Sequence, residues 1–169
     1  HERSSAASDV YKRQHIIMSS LLKELNKSIQ TSSAEETMAI GEQLAKELPT
    51  DISLALYGDL GVGKTTLVKG IAKGLGITKN ITSPTFNLFS IYQGEKQLVH
   101  LDAYRLSQEQ SIENLMFEDF LHSPYLCVIE WPDNVPQLID KNTLKLELSI
   151  ESNTTQHCIK RIKKSHRLA

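Results

Sequence analysis

The chain has little cysteine and no long apolar run. Its two cysteines, Cys127 and Cys158, lie far apart and form no C-x-x-C pair. They therefore define no metal site, and they suit a protein of the reducing cytoplasm. No stretch of about 18 apolar residues occurs, so we expect no membrane-spanning helix and no membrane partner. Internal repeats and low-complexity segments are also absent from the sequence.

The composition is that of an ordinary globular domain, with 40% hydrophobic and 23% charged residues in 169 positions. The net charge of -1 conceals a basic tail, since the last ten residues contain no acid and five bases: Lys160, Arg161, Lys163, Lys164 and Arg167. This tail could contact RNA phosphates or an acidic partner, or it could be a solvated chain end. We expect no DNA partner.

The first residues look foreign to the rest of the chain. Residues 9–14 read D-V-Y-K-R-Q, which is the translation of a transposon end used in some sequencing libraries. We therefore expect residues 1–17 to be a non-native or disordered extension, with translation beginning at Met18. Residues 18–169 are expected to form a single domain.

Residues 58–65 read G-D-L-G-V-G-K-T and fit the phosphate-loop pattern G-x-x-x-x-G-K-[ST] at every fixed position. A chance match in a chain of this length has odds of roughly one in a hundred. In such a loop, backbone N–H groups cradle phosphates, the lysine reaches the β- and γ-phosphates, and the hydroxyl binds Mg²⁺. The alternative is a glycine-rich turn that binds nothing. The predicted nucleotide-binding residues are Gly58, Asp59, Leu60, Gly61, Val62, Gly63, Lys64, Thr65 and Thr66.

The pattern around the loop predicts an α/β fold, a three-layer P-loop NTPase-like domain with a parallel core sheet and antiparallel edge strands. A buried strand precedes the loop at 53–57, and a helix follows at 65–75. A second helix is predicted from the Ser-rich cap at 32–33 to about residue 48. Further strands are predicted at 25–31, 86–92, 97–101, 126–129, 144–150 and 157–162, and helical segments at 107–115 and 117–122.

Two acids follow apolar strand runs and are candidates for the metal and water chemistry. Glu130 comes directly after the run 126–129, which places it where ligands bind in open α/β sheets. It could hold Mg²⁺ directly or through water, or polarise the attacking water. Asp102 ends the next such run and is the second candidate metal ligand. The alternatives are a solvated glutamate at a strand end and an aspartate in a cap or turn.

Several neighbouring residues carry weaker signals. Thr85, in S-P-T-F, lies where a nucleotide-sensing switch segment belongs, although S-P-T alone is only a turn. Arg105 could neutralise phosphate charge, but a structural ion pair is the more common outcome. His100 is expected to be a packed or surface histidine rather than a ligand. Trp131, the sole tryptophan, could cover the site or pack in the core.

The nucleotide base is inferred from what the sequence lacks. The guanine-selecting N-K-x-D pattern is absent after the loop, and so is the D-x-x-G switch of GTPases. ATP with Mg²⁺ is therefore the expected ligand.

The loop, S-P-T-F, H-L-D-A-Y-R and V-I-E-W follow one another in a short chain. This ordered set resembles the bacterial TsaE family, formerly YjeE, the small ATPases of tRNA threonylcarbamoyladenosine synthesis. The resemblance covers about residues 25–165. It implies binding and slow hydrolysis of ATP with Mg²⁺, and docking on the TsaB–TsaD heterodimer, which modifies adenosine 37 of tRNA. Hydrolysis is thought to reset that complex between turnovers.

By motif match, the resemblance assigns phosphates and metal to Lys64, Thr65 and Thr66. Asp102 and Glu130 would complete the magnesium and water site, and Thr85 would belong to the switch. Two other functions remain open, a small-molecule kinase and a non-catalytic nucleotide sensor. A kinase needs a lid and an acceptor pocket, for which the chain after Glu130 leaves little room. A sensor binds nucleotide without needing both acids, so the presence of Asp102 and Glu130 weighs against it.

Overall fold

A computed structural model describes residues 20–84, 88–106 and 116–163. The expected extension at 1–17, the helical segment at 107–115, Thr85 and the end of the basic tail lie outside these ranges. None of the helices in the described ranges combines the length and apolar character needed to cross a bilayer.

The centre of the molecule is one seven-stranded sheet whose spatial order is β1-β7-β6-β2-β5-β4-β3. The four central strands, β6, β2, β5 and β4, are mutually parallel, while β3 at one edge and β7 and β1 at the other are added antiparallel. The predicted parallel core with antiparallel edges is therefore confirmed. The strands are β1 Ile29–Thr31, β2 Ile52–Tyr57, β3 Phe89–Tyr92, β4 Gln97–Asp102, β5 Tyr125–Glu130, β6 Leu144–Ile150 and β7 His157–Arg161.

Three α-helices within the described residues pack their apolar sides into the larger core cluster on one face of the sheet. The second begins where the sequence predicted, because the Ser33 hydroxyl accepts the Glu36 N–H at 3.1 Å and the Glu36 carboxylate accepts the Ser32 N–H at 2.6 Å. The helices are α1 Leu21–Lys27, α2 Ala34–Glu47 and α3 Lys64–Gly74.

Helices α2 and α3 approach each other more closely than side chains would allow. A Cβ atom on Gly70 would lie 2.1 Å from the carbonyl oxygen of Met38, and one on Gly41 would lie 2.4 Å from that of Leu67. Such distances are far inside van der Waals contact, so both crossing points require glycine. The tight contact holds α3, and with it the phosphate loop, against the rest of the helical layer.

The opposite face of the sheet carries a smaller core cluster, which includes Val99, Leu101 and Ile129. It is covered by 3-10 segments at Phe117–Phe120, Pro132–Asn134 and Pro136–Leu138. These segments form the third layer in the described part of the chain. The helical segment predicted at 117–122 is therefore present in a shorter, 3-10 form.

The strand predicted at 25–31 is wrong in its first half. Residues up to Lys27 belong to α1, and the strand begins at Ile29. Leu21, Leu22 and Leu25 recur at helical spacing and all lie in the core, so burial of this apolar face favours a helix. The predicted edge position of the strand is confirmed.

Candidate functional site

The loop between β2 and α3 adopts a conformation that depends on its glycines. Gly58, Gly61 and Gly63 have φ angles of 143°, 78° and 104°, in the region that L-residues with a Cβ rarely occupy. Gly58 is also required by its neighbours in the fold, because a Cβ there would lie 2.4 Å from the carbonyl oxygen of Leu148. The loop can therefore turn tightly beside the end of β6 only with glycine at this position.

Helix α3 presents its N-terminus to the same place. The first backbone N–H bonded within this helix is that of Leu67, which donates to the Gly63 carbonyl oxygen at 3.0 Å. The amides of residues 64–66 form the first turn of the helix, and the cap residue Gly63 makes no side-chain hydrogen bond to them. The N–H groups of a helix N-terminus and the positive end of the helix dipole together favour an anion.

Lys64 is buried within the loop, with only 5% of its surface exposed. Its Nζ donates to the carbonyl oxygens of Gly58 and, at 3.0 Å, Asp59. The same ammonium lies 4.0 Å from the centre of the Trp131 ring, which in turn contacts the Tyr104 ring at 4.8 Å between centroids. Trp131 therefore covers the loop lysine and also packs against the smaller core cluster, so it combines the two roles between which the sequence left the choice open.

A cleft of about 240 Å³ opens beside α3 and brings together most of the predicted site. Ser83, Tyr104 and Trp131 join the loop and the two acids in its wall. Its lining consists of Leu60, Gly61, Gly63, Lys64, Thr65, Thr66, Ser83, Asp102, Tyr104, Glu130 and Trp131.

The remaining loop residues lie on the opposite side of the loop. Gly58, Asp59 and Val62 border a second cleft of about 420 Å³, formed against the end of β6, and Leu60 lines both clefts. The carbonyl oxygen of Val62 also lies 2.7 Å from Nδ1 of His157, so the first residue of β7 supports the loop.

Glu130 is the last residue of β5 and its side chain is almost fully buried, with 3% exposed. The Thr65 hydroxyl donates to its Oε1 at 3.4 Å. Adjacent oxygen ligands of an octahedral Mg²⁺ lie roughly 3 Å apart. The hydroxyl of the loop and the carboxylate of β5 are therefore close enough to share one ion.

Asp102 ends β4 and lies beside Glu130 across the parallel strand pair. Its Oδ1 accepts the Tyr104 N–H at 3.0 Å. Burial raises the pKa of Asp102 above its ordinary value of 3.8, and repulsion from Glu130 acts in the same direction, while the Tyr104 N–H and the charge of Lys64 oppose it. A cation between the two acids would relieve this repulsion.

The donor set suits Mg²⁺ better than a softer metal. The described ranges contain no group of three or more His, Cys, Asp or Glu side chains that could hold a metal ion. Beside the loop the site offers the Thr65 hydroxyl and the two carboxylates of Asp102 and Glu130 instead. Mg²⁺ prefers this arrangement, since it binds one or two carboxylates and completes its shell with water and substrate phosphate.

Two contacts of the site were not predicted from the sequence. The Ser83 hydroxyl lies 3.3 Å from that of Thr65, whereas Thr85, the predicted residue of the same S-P-T-F segment, is outside the described ranges. His100 is packed, as expected, but its Nε2 also lies 2.8 Å from Glu130 Oε1. Alternation along β4 puts His100 on the same face as Asp102, which is the signal that could have found it.

Arg105 is exposed and forms no ion pair with any described residue. The structural ion pair favoured from the sequence is therefore not seen in this part of the chain.

The chain is similar to proteins of one family across most of its length. The family model TsaE, described as threonylcarbamoyl adenosine biosynthesis protein TsaE, matches residues 31–161. A relative from Treponema pallidum is 36% identical over 118 residues, 70% of this chain and 87% of that protein. One from Rickettsia prowazekii is 37% identical over 130 residues, 75% of this chain and 89% of that protein. Both are named tRNA threonylcarbamoyladenosine biosynthesis protein TsaE.

The crystal structure of YdiB from Bacillus subtilis has the same fold. It superimposes with a TM-score of 0.65 at 29% identity and covers 78% of this chain and 81% of its own. A Bacillus subtilis protein named tRNA threonylcarbamoyladenosine biosynthesis protein TsaE is 38% identical over 117 residues, 69% of this chain and 73% of that relative. The family model, the sequence relatives and the shared fold agree, and the chain belongs to the TsaE family.

Proposed function

We propose that this chain is a magnesium-dependent ATPase that serves the formation of N6-threonylcarbamoyladenosine in tRNA. The observation that carries the proposal is the 3.4 Å contact between the Thr65 hydroxyl and the Glu130 carboxylate beside a glycine loop and a helix N-terminus. It joins the two parts that ATP hydrolysis requires, a phosphate cradle and an acid at the metal. We take residues 18–169 as one ATPase domain.

The phosphate-binding part of the proposal uses the loop from Gly58 to Thr66. The amides of its last residues belong to the first turn of α3, and Lys64 supplies a buried positive charge. Bound ATP supplies a γ-phosphoryl group that is activated toward water by Mg²⁺. With ATP bound, Lys64 would exchange its loop carbonyl partners for phosphate oxygens, which it would bind more strongly because they are charged.

The metal and water part of the proposal uses Thr65, Glu130 and Asp102. Thr65 and Glu130 would hold Mg²⁺, and Asp102 would bind it directly or through water. The same carboxylates orient the attacking water. The position of Glu130 at the end of a buried strand supports this role, and Trp131 lies over the lysine and would exclude bulk solvent from it. Thr85 is proposed as the residue of the switch segment that senses the γ-phosphate.

The biological part of the proposal rests on the names of the relatives, which are tRNA threonylcarbamoyladenosine biosynthesis proteins. We propose that the chain docks on the TsaB–TsaD heterodimer in the cytoplasm and that hydrolysis resets this transferase between turnovers. Hydrolysis is slow in the isolated protein. Contact with tRNA is indirect, or made through the basic residues from Lys160 onward.

The test is phosphate release from ATP, measured for the purified chain alone, with TsaB–TsaD, and with TsaB–TsaD and tRNA. The proposal expects slow release alone and a higher rate with the partners. Release that partners do not change would contradict the coupling. A phosphorylated metabolite in place of free phosphate would identify a kinase, and binding of ATP with no release under any condition would identify a sensor.

A further inference from the structure

We propose that His100 is a positioning residue that fixes the Glu130 carboxylate in the orientation that hydrolysis requires. The inference rests on the function proposed above and extends it by one residue. His100 lies below the cleft, is not part of its lining, and has no direct access to a bound nucleotide. It acts through Glu130.

The strand pairing brings the two side chains together. β4 and β5 run parallel, with His100 opposite Val128 and Asp102 opposite Glu130. His100 is completely buried, Glu130 is 3% exposed, and His100 Nε2 lies 2.8 Å from Glu130 Oε1. This is the distance of a strong hydrogen bond to a charged acceptor. The Thr65 hydroxyl reaches the same oxygen only at 3.4 Å, so His100 provides the shorter and stronger restraint.

The other ring nitrogen indicates which tautomer makes this bond. His100 Nδ1 is buried and has no hydrogen-bond partner within the described residues. With the proton on Nε2, the ring donates to the carboxylate and leaves only a lone pair unsatisfied at Nδ1. A proton on Nδ1 would bury an unpaired N–H, and in the neutral ring it would also remove the donor that Glu130 needs. The packing therefore selects the Nε2–H form, which donates to Glu130.

The bond with His100 leaves the Glu130 carboxylate with lone-pair sites for a metal ion or a water molecule. A carboxylate has about four lone-pair sites, of which His100 uses one and the Thr65 hydroxyl another, both on Oε1. The remaining sites can accept a metal ion or a water molecule. Since catalytic groups must be held to within about 0.5 Å of their working geometry, loss of the His100 bond should slow the reaction while leaving the phosphate loop intact.

The test compares two substitutions at this position. His100→Gln keeps a donor near the place of Nε2, whereas His100→Leu has similar bulk and no donor. We expect His100→Leu to lower kcat for phosphate release by roughly 10- to 100-fold with KM for ATP changed less than about 3-fold, and His100→Gln to recover most of kcat. Leu98→Met, on the same face of β4 and away from Glu130, is the control for core damage.

A second measurement needs no nucleotide. Long-range ¹H–¹⁵N NMR of the wild-type protein at neutral pH distinguishes the two neutral tautomers of histidine, and the signal missing from His100→Gln identifies residue 100. We expect the Nε2–H pattern in the wild type. This readout stands even if His100→Leu does not fold.

The outcomes separate this inference from the proposed function. An Nδ1–H pattern, a His100→Leu variant with wild-type kcat, or a His100→Gln variant no better than a folded His100→Leu would each overturn the positioning role. A wild-type chain that releases no phosphate even with its partners would instead overturn the proposed function, while the tautomer measurement would still report on the His100–Glu130 bond.

Discussion

At the scale of single residues, the site depends on a few charged and polar groups that the fold has taken out of water. Lys64, Glu130 and His100 are nearly or completely buried, and burial of a charged or polar group is costly unless the group is paired or hydrogen-bonded. Each has a partner inside the site: loop carbonyls for Lys64, and one another for the acid and the histidine. These paired groups can stay buried when no ligand is bound. Their burial also strengthens the electrostatic interactions that they would make with a bound ligand.

Lys64→Ala should weaken ATP binding by roughly 10- to 100-fold, because it removes the charged hydrogen bonds that a lysine makes with phosphate. Equilibrium dialysis with labelled ATP measures this directly. Lys69→Ala is the matched control, since Lys69 is an exposed lysine on the same helix. Equal affinities in Lys64→Ala and the wild type would contradict the loop assignment.

Glu130→Gln should reduce kcat for phosphate release by roughly 100-fold or more while leaving the affinity for ATP without Mg²⁺ unchanged. The substitution preserves the volume and an oxygen for His100, and it removes the charge that we propose binds metal and orients water. Glu147→Gln serves as the control, because it makes the same chemical change at an exposed position of β6. Wild-type turnover in Glu130→Gln would exclude this carboxylate from the mechanism.

Asp102→Asn should preserve or raise the free energy of unfolding at pH 7 in magnesium-free buffer. Burial raises the pKa of Asp102, so its contribution to stability is fully present below pH 3.8 and is lost as the pH rises through the folded pKa. The advantage of the variant should therefore be largest at pH 7 and shrink toward pH 4.

Denaturant unfolding at several pH values measures this difference, with the exposed Asp119→Asn as control. A variant that is less stable than the wild type at pH 7, or whose advantage grows in acid, would show that the carboxylate is stabilised rather than strained by its surroundings.

At the scale of elements, the site is assembled from the carboxyl ends of β2, β4 and β5 and the N-terminus of α3. Parallel pairing brings Asp102 beside Glu130, and the Ala103 N–H donates to the Glu130 carbonyl oxygen at 3.1 Å, which ties the two strand ends together. Helix α3 is held by its glycine contacts with α2. The position of Thr65 relative to Glu130 therefore depends on helix packing as well as on the loop.

Gly70→Ala should destabilise the protein by about 1–3 kcal/mol, as overpacking of a core does. Alanine favours a helix over glycine by about 1 kcal/mol, but its Cβ would lie 2.1 Å from the backbone oxygen of Met38, so α2 and α3 must move apart. Thermal unfolding should show a lower Tm than for the wild type, whereas Lys69→Ala should not. A Gly70→Ala variant with unchanged or higher Tm would show that the helices can separate without cost.

At the scale of the whole molecule, the parts that could be predicted from the sequence are those encoded locally. The loop pattern, the apolar runs before Asp102 and Glu130, and the alternating terminal hairpin each contain their own signal, and together they gave the parallel core and its antiparallel edges. Alternation along β4 places His100 on the face of Asp102, but its contact with Glu130 could not be predicted locally, because the contact depends on which two strands are neighbours and in which register they pair. The same holds for His157, which reaches the loop only after the chain returns at the edge of the sheet.

Helix α1 illustrates a different limit. Its apolar residues lie next to the N-terminal segment that looked foreign. The helix has only seven residues, so its end can be taken for part of the following strand. Docking against the sheet decides the matter, since Leu21 and Leu25 are buried there. Tertiary packing thus overrides a local pattern of only a few residues.

The central claim is that the glycine loop, Lys64 and the two acids form a site for ATP with Mg²⁺. Isothermal titration calorimetry of the wild-type chain with ATP, in the presence and absence of Mg²⁺, tests it most directly. The account predicts one saturable site per chain whose affinity rises when Mg²⁺ is present. An absence of binding heat with ATP or any other purine triphosphate, in a chain shown to be folded, would contradict it.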